Sequence, residues 1–352
     1  LITSVYNMAD TFFVSQINTS ASAAVGVCFP IMTINQAIGF TLGAGAGNFI
    51  SRLLGQKDRK YASRIAATGF FTALAIGFIL CVLGLIFLNP LVYALGATRT
   101  IAPYAKDYIK FILIGIPFTI SSFVLNNILR FQASAFYGML GIGAGGIINI
   151  VLDPIFIFNF NMGTAGAAIA TIISQFISFM ILYYNSNRGG NIKIRFRDFT
   201  PQWTIYREIL RNGLPSFYRQ ALASVAIICL NFSAGPFGDA AIAAMSIVGR
   251  VIHFAFSVML GIGQGFQPVC GFNYGAKRYD RVLGAFWFCV KLSAIVLAVF
   301  AVIGFIFSPR IMALFRKDDL DVIAIGTKAL RFQCITLPLC SWIVSTNMIS
   351  QN

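Results

Sequence analysis

Two carboxylates stand where carboxylates are rare. The 352-residue chain has eleven acidic residues; nine fall between apolar runs or at their ends, whereas Asp10 and Asp153 lie inside such runs. In hydrocarbon a carboxylate is costly unless it is protonated, paired or turned to a watery cavity, so an acid in that position marks an ion or proton site by default. The bland alternative is a protonated aspartate that only ties two helices together. Depth favours chemistry: Asp10 lies about six residues before the outer end of its run, Asp153 about five before the end of its own, and Thr171 about seven past the start of the next. At about 1.5 Å per residue, all three sit roughly 7–11 Å below one surface. Tyr6 and Asn149 each precede an acid by four positions, which places a polar neighbour on the same helix face. Pro154 has no N–H, so the carbonyl of Ile150 is freed from the helix ladder and can take up a cation, a proton donor or water.

Other chemistry-bearing patterns are weaker. Gly141-Ile142-Gly143-Ala144-Gly145-Gly146 spells a nucleotide-binding fingerprint. It lies inside an apolar helix with no strand before it, and close helix packing is the better reading. His253 is the only histidine, which excludes a histidine metal cluster. The seven cysteines all lie in or at the ends of apolar runs without a C-x-x-C pair, and read as packing residues. No resident metal or cofactor is expected beyond a coupling H+ or a Na+ held at Asp10 and Asp153.

The elements that position these residues follow from composition. The chain is 58% hydrophobic and only 11% charged, with a mean hydropathy of +0.80. A soluble domain carries about 25% charged residues, so a soluble protein is excluded. Apolar runs near the length that crosses a hydrocarbon core of about 30 Å can be placed at about 1–16, 28–51, 65–89, 107–130, 136–158, 164–185, 212–233, 240–266, 283–308 and 329–350. The net charge of +15 comes from loops and does not indicate nucleic acid: 52–64, 186–211 and 275–281 concentrate Lys and Arg and are predicted to face the cytoplasm, whereas 17–27, 159–163 and 234–239 have neither. Arg219, Arg250 and Lys291 lie in or near second-half helices, where snorkelling to the surface is the simpler role.

Leu42-Gly43-Ala44-Gly45-Ala46-Gly47 matches Leu260-Gly261-Ile262-Gly263-Gln264-Gly265, and Gly55-Gln56-Lys57 matches Gly275-Ala276-Lys277, at offsets of 218 (260 − 42) and 220 (275 − 55). Two motifs at nearly one offset mark two parallel halves. The predicted fold is an all-α polytopic membrane protein of two pseudo-symmetric six-helix lobes: 1–210, with a cytoplasmic linker at about 186–211, and 211–352. The repeat predicts a first helix that is incomplete, two final helices beyond residue 352, and twelve in the complete protein.

The stretches Tyr6–Val14, Asn149–Phe156, Gly166–Thr171 and Gln264–Lys277 resemble the MATE (multidrug and toxic compound extrusion) family over essentially the whole chain. The resemblance, closest to the DinF-like branch, implies a pocket in the amino-terminal lobe that binds the coupling proton or sodium at Tyr6, Asp10, Asn149, Asp153 and Thr171. It implies no coupling through the second lobe, because 212–233 and 329–350 contain no Asp or Glu. The expected protein is an antiporter in a prokaryotic cell membrane, a functional monomer among lipids, exporting lipophilic or cationic drugs against inward H+ or Na+. A lipid-linked oligosaccharide flippase of the same architecture is the alternative, but it calls for several mid-membrane cations. An intramembrane aspartyl enzyme is disfavoured by the repeat and the motifs.

Overall fold

The computed structural model describes residues 10, 12–14, 16–17, 19–188, 190–234, 239–315 and 320–351. Among them are eleven α-helices and no strand. In chain order they are α1 (Thr19–Gly55), α2 (Arg59–Ile86), α3 (Leu88–Ala94), α4 (Ala102–Phe131), α5 (Ala135–Pro154), α6 (Gly163–Ser186), α7 (Trp203–Ala234), α8 (Asp239–Gly275), α9 (Tyr279–Ile306), α10 (Ser308–Phe315) and α11 (Leu320–Ser350). Eight helical stretches are long and apolar enough to cross a membrane, α5 counting together with the π-helical turn Ile155–Asn159 that follows it. Only helices satisfy all backbone polar groups within one segment in lipid, which is why so apolar a chain takes this form. The side chains turned outward, such as Phe288, Ile295 and Val302 of α9, are apolar because their solvent is lipid.

The helices overrun the predicted spans. The interval 17–27, read as a loop, is helical from Thr19, and the basic loop 52–64 contracts to the three residues between Gly55 and Arg59. Hydropathy sees the stretch buried in hydrocarbon, whereas the helical hydrogen bonds continue until a residue stops them. The stop here is a Schellman ending: the amide of Asp58 donates to Leu53 O at 2.9 Å and that of Lys57 to Leu54 O at 3.1 Å, with Lys57 at φ 64°. Asp58 then caps α2 by accepting the Tyr61 amide at 3.0 Å.

The same ending recurs in the second half, where Arg278 N donates to Asn273 O at 2.9 Å, Lys277 N to Tyr274 O at 3.0 Å, and Lys277 has φ 58°. The repeat holds at the level of whole helices. α1 and α8 are both 37 residues long and α2 and α9 both 28. Their starts are each 220 apart (239 − 19; 279 − 59). The short helices α3 and α10, which hydropathy did not reveal, keep the same offset (308 − 88 = 220).

The chain divides into two compact units between Phe217 and Tyr218, inside α7. In the first unit α4 is the hub. It is the most buried of the spans and packs on α1, α2, α5 and α6. Its Tyr108, Ile109, Ile120, Leu125 and Ile128 are fully buried. In the second unit α8, α9 and α11 pack mutually, around Met259, Leu297, Leu330 and Leu337. Lys291 and His253 are exposed on their helices and Arg219 is half-buried; the Arg250 side chain lies outside the described residues. All seven cysteines are free thiols.

Glycine decides how closely helices approach. A Cβ at Gly145 would sit 2.8 Å from Ser178 Cβ and 3.1 Å from Ser174 O, and one at Gly141 would strike Leu182. The fingerprint-like glycine run is therefore an α5–α6 packing surface. The first part of α7 is docked on α1 in the same way: Gly213 meets the carbonyl of Thr41, Gly45 meets that of Ile209, and Arg52 Nη2 donates to Asn212 Oδ1 at 2.7 Å.

Gly145→Val should destabilise the protein by about 1–3 kcal/mol through overpacking, read as a lower thermal midpoint in detergent. Gly284→Ala, where a Cβ meets nothing within 4 Å, should leave that midpoint unchanged or raised. Equal effects would show that α5 and α6 do not touch there.

Candidate functional site

Asp153, Asn149 and Thr171 form one hydrogen-bonded group. Asn149 and Asp153 are one helical turn apart on α5, and the Asn149 Nδ2 donates to Asp153 Oδ1 at 3.0 Å and to Thr171 Oγ1 of α6 at 3.3 Å. Asp153 is fully buried and Asn149 nearly so. Pro154 ends α5, and the chain widens at once into the π-helical turn. That turn supports the start of α6, since a Cβ at Gly166 would lie 2.7 Å from the carbonyl oxygen of Phe156. Gly163, at φ 56°, supplies the left-handed residue that the tight connection needs.

Asp10 is also buried, and its Oδ2 accepts the Tyr108 hydroxyl of α4 at 3.0 Å. It is close enough to Asp153 for the two charges to act on each other. A cavity of about 70 Å³ brings the two groups to one surface. Asp10 and Thr171 line it together with Asn35, Gln36, Thr119 and Gln175, and Met32, Ile112, Phe123 and Ile172 are its apolar lining residues. The structure thus gathers Asp10, Asn149, Asp153 and Thr171 in the first unit, while Tyr6 lies outside the described residues.

Tyr108 was not singled out from sequence. At the start of an apolar run a tyrosine reads as an interfacial anchor, and its partner is 98 positions away. Asn35, Gln36, Thr119 and Gln175 escaped for a similar reason, as uncharged polar residues that nothing in the sequence links to Asp10.

The electrostatics are unusual. Among the described residues each acid has one neutral hydrogen-bond donor, and none of those lining the cavity is Lys, Arg or His. Asp10 Oδ1, Asp153 Oδ2 and Asn149 Oδ1 are buried and take no hydrogen bond from the described residues. Three oxygens with spare lone pairs around at most two negative charges suit a proton or a monovalent cation. With no counter-charge supplied by the described residues, an occupant of the site would neutralise the acids.

The MatE family model matches residues 1–155 and 215–351. The chain belongs to the MatE family. Its fold is that of a multi-pass membrane transporter, and an enzyme reading is set aside. Among curated proteins, the chain is 27% identical over 342 residues to the multidrug export protein MepA of Staphylococcus haemolyticus, covering 96% of this chain and 75% of that protein. It is 26% identical over 342 residues to MepA of Staphylococcus aureus, with the same coverage. A crystal structure of MATE in complex with MaD3S superposes with a TM-score of 0.92 at 28% identity over 99% of this chain and 78% of that one. A transporter of the MOP superfamily from Pyrococcus furiosus, described as having a binding pocket of reverse polarity, gives 0.90 at 29% identity, again over 99% and 78%.

In this MatE chain Asn149 is the shared donor, so its loss should cost more than the loss of Thr171. Asn149→Leu should lower stability by about 1–3 kcal/mol, the cost of a buried acceptor left without its partner. Thr171→Val, which leaves the Asn149–Asp153 bond in place, should cost less. Thermal midpoints of the two purified variants check the order, and the reverse order would contradict the bonding described.

Proposed function

We propose that the protein is an antiporter that exports lipophilic or cationic drugs in exchange for inward H+ or Na+, giving its site access to the two sides of the membrane in turn. The observation that carries this reading is the pair of buried acids, each with an oxygen that takes no hydrogen bond from the described residues, beside a cavity lined by both polar and apolar side chains. Asp10 and Asp153 are the groups that exchange the coupling ion; Asn149, Thr171 and Tyr108 hold them in place. At about 70 Å³ the cavity takes an ion with a few waters and is smaller than the roughly 300 Å³ of a drug-sized pocket, so a drug cation is drawn to the charge of Asp10 from outside it. The MepA relatives, named multidrug export proteins, support the substrate class, and the duplicated helix plan supports alternating access. The flippase alternative finds no support in a cavity whose described lining residues include no Lys or Arg, since a pyrophosphate needs cations to hold it.

Ion and drug then compete for one negative charge, which links inward ion movement to outward drug release. The linkage is reciprocal. Bound protons or Na+ cancel the charge that attracts the drug, so drug affinity should fall as pH falls or as Na+ rises. The titratable groups facing Asp153 are Asp10 and Tyr108, with Cys28 beside Tyr108. Asp10→Asn and Asp153→Asn should each reach the membrane folded and lose coupled efflux, because an amide keeps the shape but neither exchanges a proton nor carries a charge. Ethidium efflux from vesicles under separately imposed proton and sodium gradients checks this. Full coupled transport by both variants would remove the acids from the mechanism.

Binding of ethidium to purified protein gives a second check. Wild type should show the pH or sodium dependence and Asp153→Asn should lose most of it. The same dependence in both proteins would place the competition at other groups.

A further inference from the structure

The segment that leads from α6 into α7 is basic, aromatic and held in place along the first unit. Residues 188–211 carry six Lys or Arg against two acids, Asp198 and Glu208. Residues 191–195 are extended and their burial alternates: Ile192 and Ile194 are buried, while Lys193 and Arg195 are exposed on the other side. Two side chains of the first unit grip this stretch by its backbone, since Ile192 N donates to Gln132 Oε1 at 2.7 Å and Ile194 N to Asn187 Oδ1 at 3.0 Å. The cations are thus presented from a fixed backbone.

The next residues lie along the flank of α2. The Thr68 hydroxyl accepts from Thr200 N at 3.2 Å and donates to Thr200 O at 3.2 Å. The ring of Phe71 meets Phe196 edge-on at 5.2 Å and Phe199 at 5.8 Å. Thr68 and Phe71 fall inside the apolar run 65–89, so this segment does not hang in water beyond the helix ends; it sits at the edge of the hydrocarbon. Positions 71, 78 and 82 share one face of α2, and Phe78 and Val82 are exposed there, as on a surface turned to lipid. Phe196, 74% exposed, and Trp203, 75% exposed at the start of α7, add rings at its end. Arg64, one helical turn before Thr68, is exposed beside them.

We propose that residues 193–203, with Arg64, form a binding surface for anionic phospholipids of the cytoplasmic leaflet, with Phe196 and Trp203 at the level of the headgroups and upper acyl chains and Lys193, Arg195 and Arg197 on the phosphates. Aromatic rings suit the boundary between hydrocarbon and water, and cations beside them meet the negative charge of that leaflet. Arginine adds paired N–H donors that fit a phosphate. Asp198 is the one carboxylate within 193–203, so the surface keeps a positive excess. The seat against α2 selects lipid over a soluble acidic partner, which calls for cations held clear of the membrane. The lipid surface is independent of the antiport reading, because it uses none of the residues around the two buried acids.

The test uses the full chain in phosphatidylcholine vesicles, with Trp287→Phe and Trp342→Phe so that Trp203 is the only tryptophan. Phosphatidylglycerol or phosphatidylcholine brominated in its acyl chains is included at equal mole fraction, and bromine quenches the indole only where that lipid lies against it. Trp203 should be quenched by both, with a relative binding constant at least about fivefold in favour of the anionic lipid, the weight of one cation near an anionic surface. Lys193→Gln, Arg195→Gln and Arg197→Gln together should bring that preference to within about twofold of none. Salt at about 1 M, where the Debye length is about 3 Å, should do the same to the parent protein and needs no variant that could fail to fold. Equal quenching by the two lipids in the parent, quenching by neither, or a preference that survives either the charge removal or the salt overturns the proposal.

Discussion

A carboxylate inside a membrane protein must have its charge answered by something, and in the first half of this chain the described residues do not answer it. Asp10 and Asp153 are buried, and their described partners, Tyr108 and Asn149, are neutral donors. Each bond leaves one oxygen of its acid open. A neighbouring arginine would have made a stable, inert ion pair. Without one, the net charge of the site is set by what enters it, and that dependence is what a transporter needs. The surrounding structure serves to maintain this condition: α4 supplies Tyr108 from the most buried helix, and α5 and α6 approach through glycine closely enough for Asn149 to bridge them.

The duplication shows how fold and chemistry separate. The two halves share helix lengths, Schellman endings and even the short helices α3 and α10 at one offset. That offset places Leu230 opposite Asp10 (10 + 220 = 230), so the second half repeats the scaffold without this acid. The helix plan is fixed by backbone satisfaction in lipid and by turn chemistry, which tolerate almost any apolar side chain. A buried acid depends instead on one particular side chain, so the scaffold can be repeated where Asp10 is not.

Much of this was legible in the sequence because lipid imposes simple rules. Spans of apolar residues, an acid inside one and a glycine motif repeated at a fixed distance are all one-dimensional signals. Asn149 and Asp153 could be paired because four residues make one helical turn. Tyr108 could not be paired with Asp10, since their contact depends on how α4 packs and not on spacing. The short helices were invisible because seven or eight residues are too few for a hydropathy window, and the helix ends were misplaced because capping is set by left-handed residues such as Lys57, which hydropathy does not see. The glycine run Gly141–Gly146 shows the reverse case: its spelling pointed to phosphate binding, and its setting in an apolar helix was enough to assign it to packing.

Under the proposed exchange, ion and drug would contest the charge of the acids. Polar and apolar side chains are interleaved along the cavity, Met32 with Asn35 and Gln36 on α1 and Thr119 with Phe123 on α4, so an occupant meets both kinds of contact together. At about 70 Å³ the space holds an ion and a few waters and is far below the roughly 300 Å³ of a drug-sized site. A competitor larger than an ion therefore reaches the charge of Asp10 only from outside this space, and what the two would share is the charge and not the cavity.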